Sequence, residues 1–189
     1  MVQLTRIYTK SGDKGKTGLG NNQKVYKNSE RIEAIGEVDE ANAAIGWVLQ
    51  FCQIPLNNIL LHIQNDLFDL GADLCIPETP DNTLSQRLTI TSSQVDYLEH
   101  QIDNLNAYLS PLTSFVLPGG SKVSAALHLA RTVTRRAERR AVALNLKETI
   151  NPEVIRYLNR LSDLLFVMAR YANLQEEEGD ILWTPGASR

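Results

Sequence analysis

The sequence predicts an all-α protein, a five-helix up-and-down bundle preceded by an irregular glycine-rich segment. Three features predict it. Five stretches repeat apolar residues at helical spacing, and almost no stretch alternates apolar and polar residues as a half-buried strand would. Most connections between the stripes are short and carry proline or capping residues.

The first helix is expected from about Ser29 to Cys52, with Ile32, Ile35, Val38, Ile45, Val48, Leu49 and Cys52 on one side. After Pro55, the second has Leu56, Ile59, Leu60, Ile63, Leu67, Leu70 and Leu74 as the cleanest stripe, and it stops before Pro77. Residues 77–90 are rich in turn formers and read as a loop. Thr91-Ser-Ser-Gln94 has the form of a capping box and opens the third helix, followed by Val95, Leu98, Ile102, Leu105 and Leu109. The fourth begins near Ser121, after Pro118-Gly119-Gly120, and runs to about Leu146. Asn151 and Pro152, a favoured cap and first-turn pair, start the fifth, whose stripe is Val154, Leu158, Leu161, Leu165, Met168 and Ala172.

One domain is expected over residues 1–189: segment 1–28, a helical bundle over 29–175 and a tail over 176–189. The hydrophobic fraction of 43% and charged fraction of 22% suit a folded domain and exclude wholesale disorder. No apolar run reaches the roughly 18–20 residues of a membrane span. Two cysteines, Cys52 and Cys75, are too few for a disulfide framework or metal knuckle, and a reducing, cytoplasmic setting is expected.

The net charge of −3 is unevenly placed. Residues 1–31 carry +5, residues 121–140 carry +5, and the remainder carries −13. Two basic islands in an acidic chain do not resemble the broad basic face of a general nucleic-acid binder; they suit one local anion site or two solvated faces.

In TKSGDKGKTGLG, residues 9–20, Gly12, Gly15, Gly18 and Gly20 alternate with lysines and hydroxyls. Such a segment can turn backbone N–H groups toward a phosphate. Gly15-Lys16-Thr17 is not a P-loop, because position 10 is Lys rather than Gly and no βαβ unit follows. A phosphate cradle of another kind and a solubilising tail both remain open.

On the fourth helix, at about 100° per residue, Ser124, His128, Arg131, Arg135, Glu138 and Arg139 share one arc, while Val123, Leu127, Ala130, Ala137, Ala141 and Leu144 face the bundle. Arg136 and Arg140 point elsewhere. Five arginines with a single acid among residues 131–140 repel one another. Carboxylates of another helix or subunit, or a polyphosphate, would offset that cost. Asp39 lies just outside the apolar arc of the first helix, and Asn159, Ser162, Asp163, Phe166 and Arg170 share one side of the fifth. Neither a nucleophile–base constellation nor a metal-ligand spacing is present; His62 and His100 read as surface residues. Phe115-Val-Leu-Pro-Gly-Gly is apolar for a turn, and reads as a plug over the bundle end or as a ligand contact.

At these residues the chain resembles the PduO-type ATP:cob(I)alamin adenosyltransferases. The resemblance spans most of the length: TKSGDKGKTGLG, EAIGEVDEANAAIG around Asp39, FVLPGG from Phe115, LHLARTVTRRAERR, YLNRLSDLLFVMARYAN, and Leu182-Trp183-Thr-Pro185. It implies a homotrimer with active sites between subunits, which transfers the 5′-deoxyadenosyl group of ATP to cob(I)alamin with Mg²⁺ aiding ATP binding, and releases triphosphate. By position it implies ATP contacts from Thr9, Lys10, Ser11, Gly12, Thr17, Gly18 and Lys27, and from Arg135, Arg136, Glu138, Arg139 and Asn159. Arg131 and Asp39 correspond to an intersubunit ion pair. Phe115 corresponds to the aromatic on the lower axial face of the corrin, and Phe166 to a second corrin contact. A flavoprotein reductase and an adenosylcobalamin-dependent enzyme are the implied partners. No metal ligand is assigned. Ser11, Asn21-Asn22 and Lys24 depart from the family's usual Thr, Asp-Gly and Arg.

Overall fold

The computed structural model describes residues 7–78 and 87–187. Most of the expected loop 77–90, namely 79–86, lies outside the described residues, as do positions 1–6 of the N-terminal segment and 188–189 of the tail. Five helices form the bundle: α1 (Glu30–Val48), α2 (Leu56–Cys75), α3 (Ser92–Asn106), α4 (Lys122–Asn145) and α5 (Pro152–Gln175). They neighbour one another in the order α2–α1–α4–α5–α3, so α4 and α5 are central.

The sequence signals act where expected. Gln94 Oε1 accepts the Thr91 N–H at 3.0 Å, Ser121 Oγ accepts the Ser124 N–H at 3.1 Å, and Asn151 Oδ1 accepts the Glu153 N–H at 3.1 Å. Each bond satisfies a backbone donor at a helix N-terminus. The stripes of α2 and α5 supply the fully buried Leu60, Ile63, Leu67, Leu70, Leu158, Leu161 and Leu165. Tyr157 is also enclosed, its hydroxyl donating to Asp66 Oδ2 at 2.9 Å.

Two expectations need correction. Helix α1 buries Ala34, Val38, Ala41, Ile45 and Val48, whereas Ile32 and Ile35 are only half-buried, and the helix ends at Val48 rather than Cys52. Helix α1 packs on α4, and each contributes fully buried alanines, Ala34 and Ala41 on α1 and Ala130, Ala137 and Ala141 on α4. The N-terminal segment is not wholly irregular. Strands β1 (Lys16–Gly18) and β2 (Lys24–Tyr26) pair antiparallel, with Thr17 opposite Val25.

That hairpin is fastened to the C-terminal end of α2. The Gly20 N–H donates to the Cys75 carbonyl at 2.9 Å, and Leu19 is buried. A Cβ on Gly20 would come 2.6 Å from Ile76 Cγ1, so the close approach requires glycine. Arg31 secures the same corner: buried, it donates to the Leu74 carbonyl at 2.7 Å and pairs with Glu148 at 2.7 Å.

Candidate active site

The first half of the site is the N-terminal segment. Thr9 and Ser11 share a hydroxyl–hydroxyl hydrogen bond of 2.8 Å. Lys10 and Gly15 have left-handed backbones (φ 60° and 76°), and the Gly15 N–H donates to the Gly12 carbonyl at 3.1 Å, which closes a tight turn. The Lys27 backbone N–H donates to the Gly15 carbonyl at 2.9 Å, and its ammonium lies over Gly12, 3.0 Å from where a Cβ would stand. Thr17 and Gly18 follow on β1. Hydroxyls and an ammonium thus gather on an exposed loop that leads into the hairpin.

The second half lies on α4 and α5, where the structure divides the arginines. Arg136 pairs with Glu37 at 2.5 Å and also with Glu40, and Arg140 approaches Glu33 at 3.9 Å, so both belong to a lattice with α1. The two flanking carboxylates push the Arg136 pKa further up. Among the described residues, Arg131, Arg135 and Arg139 have no carboxylate partner; Arg139 Nη1 only donates to the Arg135 carbonyl at 3.0 Å. Carboxylates of another helix thus account for Arg136 and Arg140, and the other three arginines stand outside that lattice.

Beside the free arginines, Asn159 Nδ2 donates to Glu138 Oε1 at 3.0 Å, while Arg160 Nη1 donates to Asn159 Oδ1 at 2.7 Å. A cavity of about 180 Å³ is lined by Arg131, Arg135, Ser162, Asp163, Phe166 and Val167. Partial burial raises the Asp163 pKa and Glu138 adds to the shift, with Arg160 and Arg135 opposing it. A larger cavity of about 550 Å³ shares Arg131 and Phe166 with the first and extends to Leu112, Ser114, Phe115 and Val116. Cationic and apolar compartments thus adjoin. Arg131 has its pKa lowered by burial and by Arg135, and its Nε is buried without a partner among the described residues.

Phe115 is 77% exposed, so it is not a plug in the bundle end. Its backbone is held by the tail: Val116 bridges Leu182, and the Trp183 N–H donates to the Phe115 carbonyl at 2.8 Å. The Phe115 and Trp183 rings meet edge-on at 5.9 Å. Sequence reasoning singled out Trp183 but missed this pairing, because an isolated bridge leaves no periodic signal.

His128 is buried against Phe166, with ring centroids 6.0 Å apart. Burial lowers its pKa and Arg131 adds to the effect, with Asp180 opposing. Its place in the polar arc had marked its position but not its enclosure.

Asp39 is exposed on α1 and has no ion-pair partner among the described residues, so it does not meet Arg131 within one chain. Nor do the hairpin's described hydrogen bonds reach the α4–α5 cavities; they run to α2. No three His, Cys, Asp or Glu side chains converge as a metal cage among the described residues.

The pattern of the cobalamin adenosyltransferase family matches residues 7–172. A corrinoid adenosyltransferase of Mycobacterium tuberculosis is 50% identical over 192 residues, covering 100% of this chain and 97% of the relative. That of Bacillus subtilis is 45% identical over 93% of this chain and 91% of its own length. A solved variant of the PduO-type ATP:corrinoid adenosyltransferase from Lactobacillus reuteri, complexed with cobalamin and ATP, superposes with a TM-score of 0.89 at 41% identity, over 94% of this chain and 99% of that one. With the same bundle and sequence likeness along nearly its whole length, the chain belongs to the cobalamin adenosyltransferase family, in its PduO-type branch.

Proposed function

We propose that this chain transfers the 5′-deoxyadenosyl group of ATP to the cobalt of cob(I)alamin, making adenosylcobalamin and triphosphate. The observation that carries the reading is the junction at Arg131 and Phe166, which line both an arginine-edged cavity and a larger one with more apolar lining residues that includes the exposed Phe115. A triphosphate suits the first compartment and a corrin face the second.

The reaction needs no protein nucleophile. The cobalt(I) electron pair attacks C5′, the C5′–O bond breaks, and triphosphate leaves with that bond's electrons, so cobalt ends as cobalt(III). The protein's work is to hold C5′ against cobalt and to stabilise charge on the departing oxygens. Thr9, Lys10, Ser11, Gly12, Thr17, Gly18 and Lys27 bind ATP from one side. Arg135 and Arg139 bind its phosphates from the other, with Glu138 and Asn159 fixing the edge of that face. Arg136, engaged with Glu37 and Glu40, serves by holding α4 against α1. Phe115 and Phe166 hold the corrin, Phe115 taking the lower axial face in place of a base ligand. Without that ligand cobalt(II) is easier to reduce.

Magnesium enters as Mg·ATP, since Mg²⁺ is commonly carried on substrate phosphates. We assign a homotrimer with the site completed between subunits, in which the exposed Asp39 of one copy meets Arg131 of the next. Free Cys52 and Cys75 suit the cytoplasm, and no described helix is long and apolar enough to cross a membrane. A one-electron donor such as a flavoprotein reductase must supply cob(I)alamin, and an adenosylcobalamin-dependent enzyme consumes the product.

The test is an anaerobic assay with Mg·ATP and chemically reduced cobalamin. Loss of the cob(I)alamin spectrum with stoichiometric, light-sensitive adenosylcobalamin and triphosphate is expected. ATP binding with an unchanged cob(I)alamin spectrum would refute the reading.

A further inference from the structure

Phe115 has few contacts of its own, so something else must fix where its ring stands. Around it, the Leu117 N–H donates to the Ile181 carbonyl and the Trp183 N–H to the Phe115 carbonyl, both at 2.8 Å. Ser114 Oγ donates to the Trp183 carbonyl, also at 2.8 Å. Segment 181–183 is therefore the frame on which the Phe115 loop hangs.

That frame has an anchor of its own. After α5 the chain reverses through Glu177 and Gly179, with φ of 58° and 69°, and Asp180 returns to the flank of α5. There Asp180 Oδ2 accepts from Arg170 Nε at 2.7 Å and Oδ1 from Asn173 Nδ2 at 3.3 Å. Both donors are buried. Each also grips the other end of the Phe115 loop: Arg170 Nη2 donates to the Ser110 carbonyl at 2.8 Å, and Asn173 Oδ1 accepts the Ser121 N–H at 3.0 Å. A charge-assisted bond between largely buried groups is among the stronger single contacts a protein makes.

We propose that Asp180 is a positioning residue for the adenosyl transfer: clamped by Arg170 and Asn173, it latches segment 181–183 and so sets Phe115 against the lower axial face of the corrin. This rests on the reading of Phe115 given above. Asp180 touches neither substrate; it acts through the tail.

The test compares wild type with Asp180→Asn, Asp180→Glu and Phe115→Ala, all as full chains. Hydrogen exchange at the Leu117 and Trp183 amides reports the latch without cobalamin. Electron paramagnetic resonance of cob(II)alamin with Mg·ATP reports the fraction of cobalt lacking its lower ligand. In Asp180→Asn, both amides should exchange faster and that fraction should fall by about tenfold, the scale of one lost charge-assisted bond. KM for ATP should stay within about twofold, because the ATP contacts lie on other elements. Asp180→Glu should recover most of the fraction. Unchanged amide protection in Asp180→Asn overturns the latch. Faster exchange with a wild-type cobalt fraction makes the contact merely structural and overturns the positioning role. A wild-type fraction in Phe115→Ala refutes the reading of Phe115 itself, while the exchange data still judge the latch.

Discussion

Arg136 crosses from α4 to Glu37 of α1 at 2.5 Å, yet Arg135, one residue earlier, has no carboxylate partner among the described residues. Consecutive residues on a helix point about 100° apart, so one faces the neighbouring helix and the other the cavity beside Asp163. The lattice arginine neutralises α1, and the other leaves its charge at the cavity wall.

Replacing the two by alanine should therefore separate stability from activity. Arg135→Ala should lower kcat by about 10²–10³, as for loss of one preorganised group facing developing negative charge, with little change in Tm. Arg136→Ala should lower Tm by no more than about 4 °C, because the pair is partly exposed and water screens it, and should cost far less in kcat. Thermal melts and steady-state rates on both variants decide the matter; equal losses of kcat would contradict the division.

Asp39 tests the assembly. It is exposed and has no ion-pair partner among the described residues, and the proposed trimer brings Arg131 of another copy to it. Asp39→Asn should weaken the trimer in light scattering and lower kcat by about tenfold, as for one lost interfacial charge pair. The exchange Asp39→Arg with Arg131→Asp should recover assembly beyond either single change. A fully trimeric Asp39→Asn with wild-type kcat would remove the pair from the mechanism.

The helices of largest apolar residues were legible because a stripe of Leu and Ile has few ways to be buried. Helix α1 misled because its buried Ala34 and Ala41 carry little hydrophobic signal, while Ile32 and Ile35 carry much and are only half-buried. The basic arc of α4 was legible in outline, but its division into paired and free arginines depends on Glu33, Glu37 and Glu40, which only packing brings alongside. Hairpin and tail were the least legible: strands of three residues and an isolated bridge are too short to leave a period.

Gly120 offers a sharp stability test at the root of the Phe115 loop. Its φ is 94°, and a Cβ there would stand 2.3 Å from Asn173 Oδ1, the acceptor of the Ser121 N–H. Gly120→Ala must strain the backbone and displace that amide from a buried position, at a combined cost of ~3 kcal/mol. Urea unfolding should show the midpoint falling with an unchanged slope. A midpoint equal to wild type would mean the loop relaxes freely.

The buried His128 makes stability depend on pH. Its folded pKa lies below the usual histidine value, through burial first and Arg131 second, against a smaller pull from Asp180. The unfolded chain takes up the proton near pH ~6.5, while the folded chain resists it until lower pH. Between those two values the unfolded state binds more protons, so stability falls as pH drops through the window and levels off below the folded pKa. The raised Asp163 carboxyl works in the opposite sense nearer the carboxylate range, so comparison at about pH 7.5 and 5.5 isolates the histidine. Tm should be lower at the acidic end in wild type, and His128→Gln, which cannot titrate, should narrow the difference. An equally large difference in both proteins would assign the pH dependence to other groups.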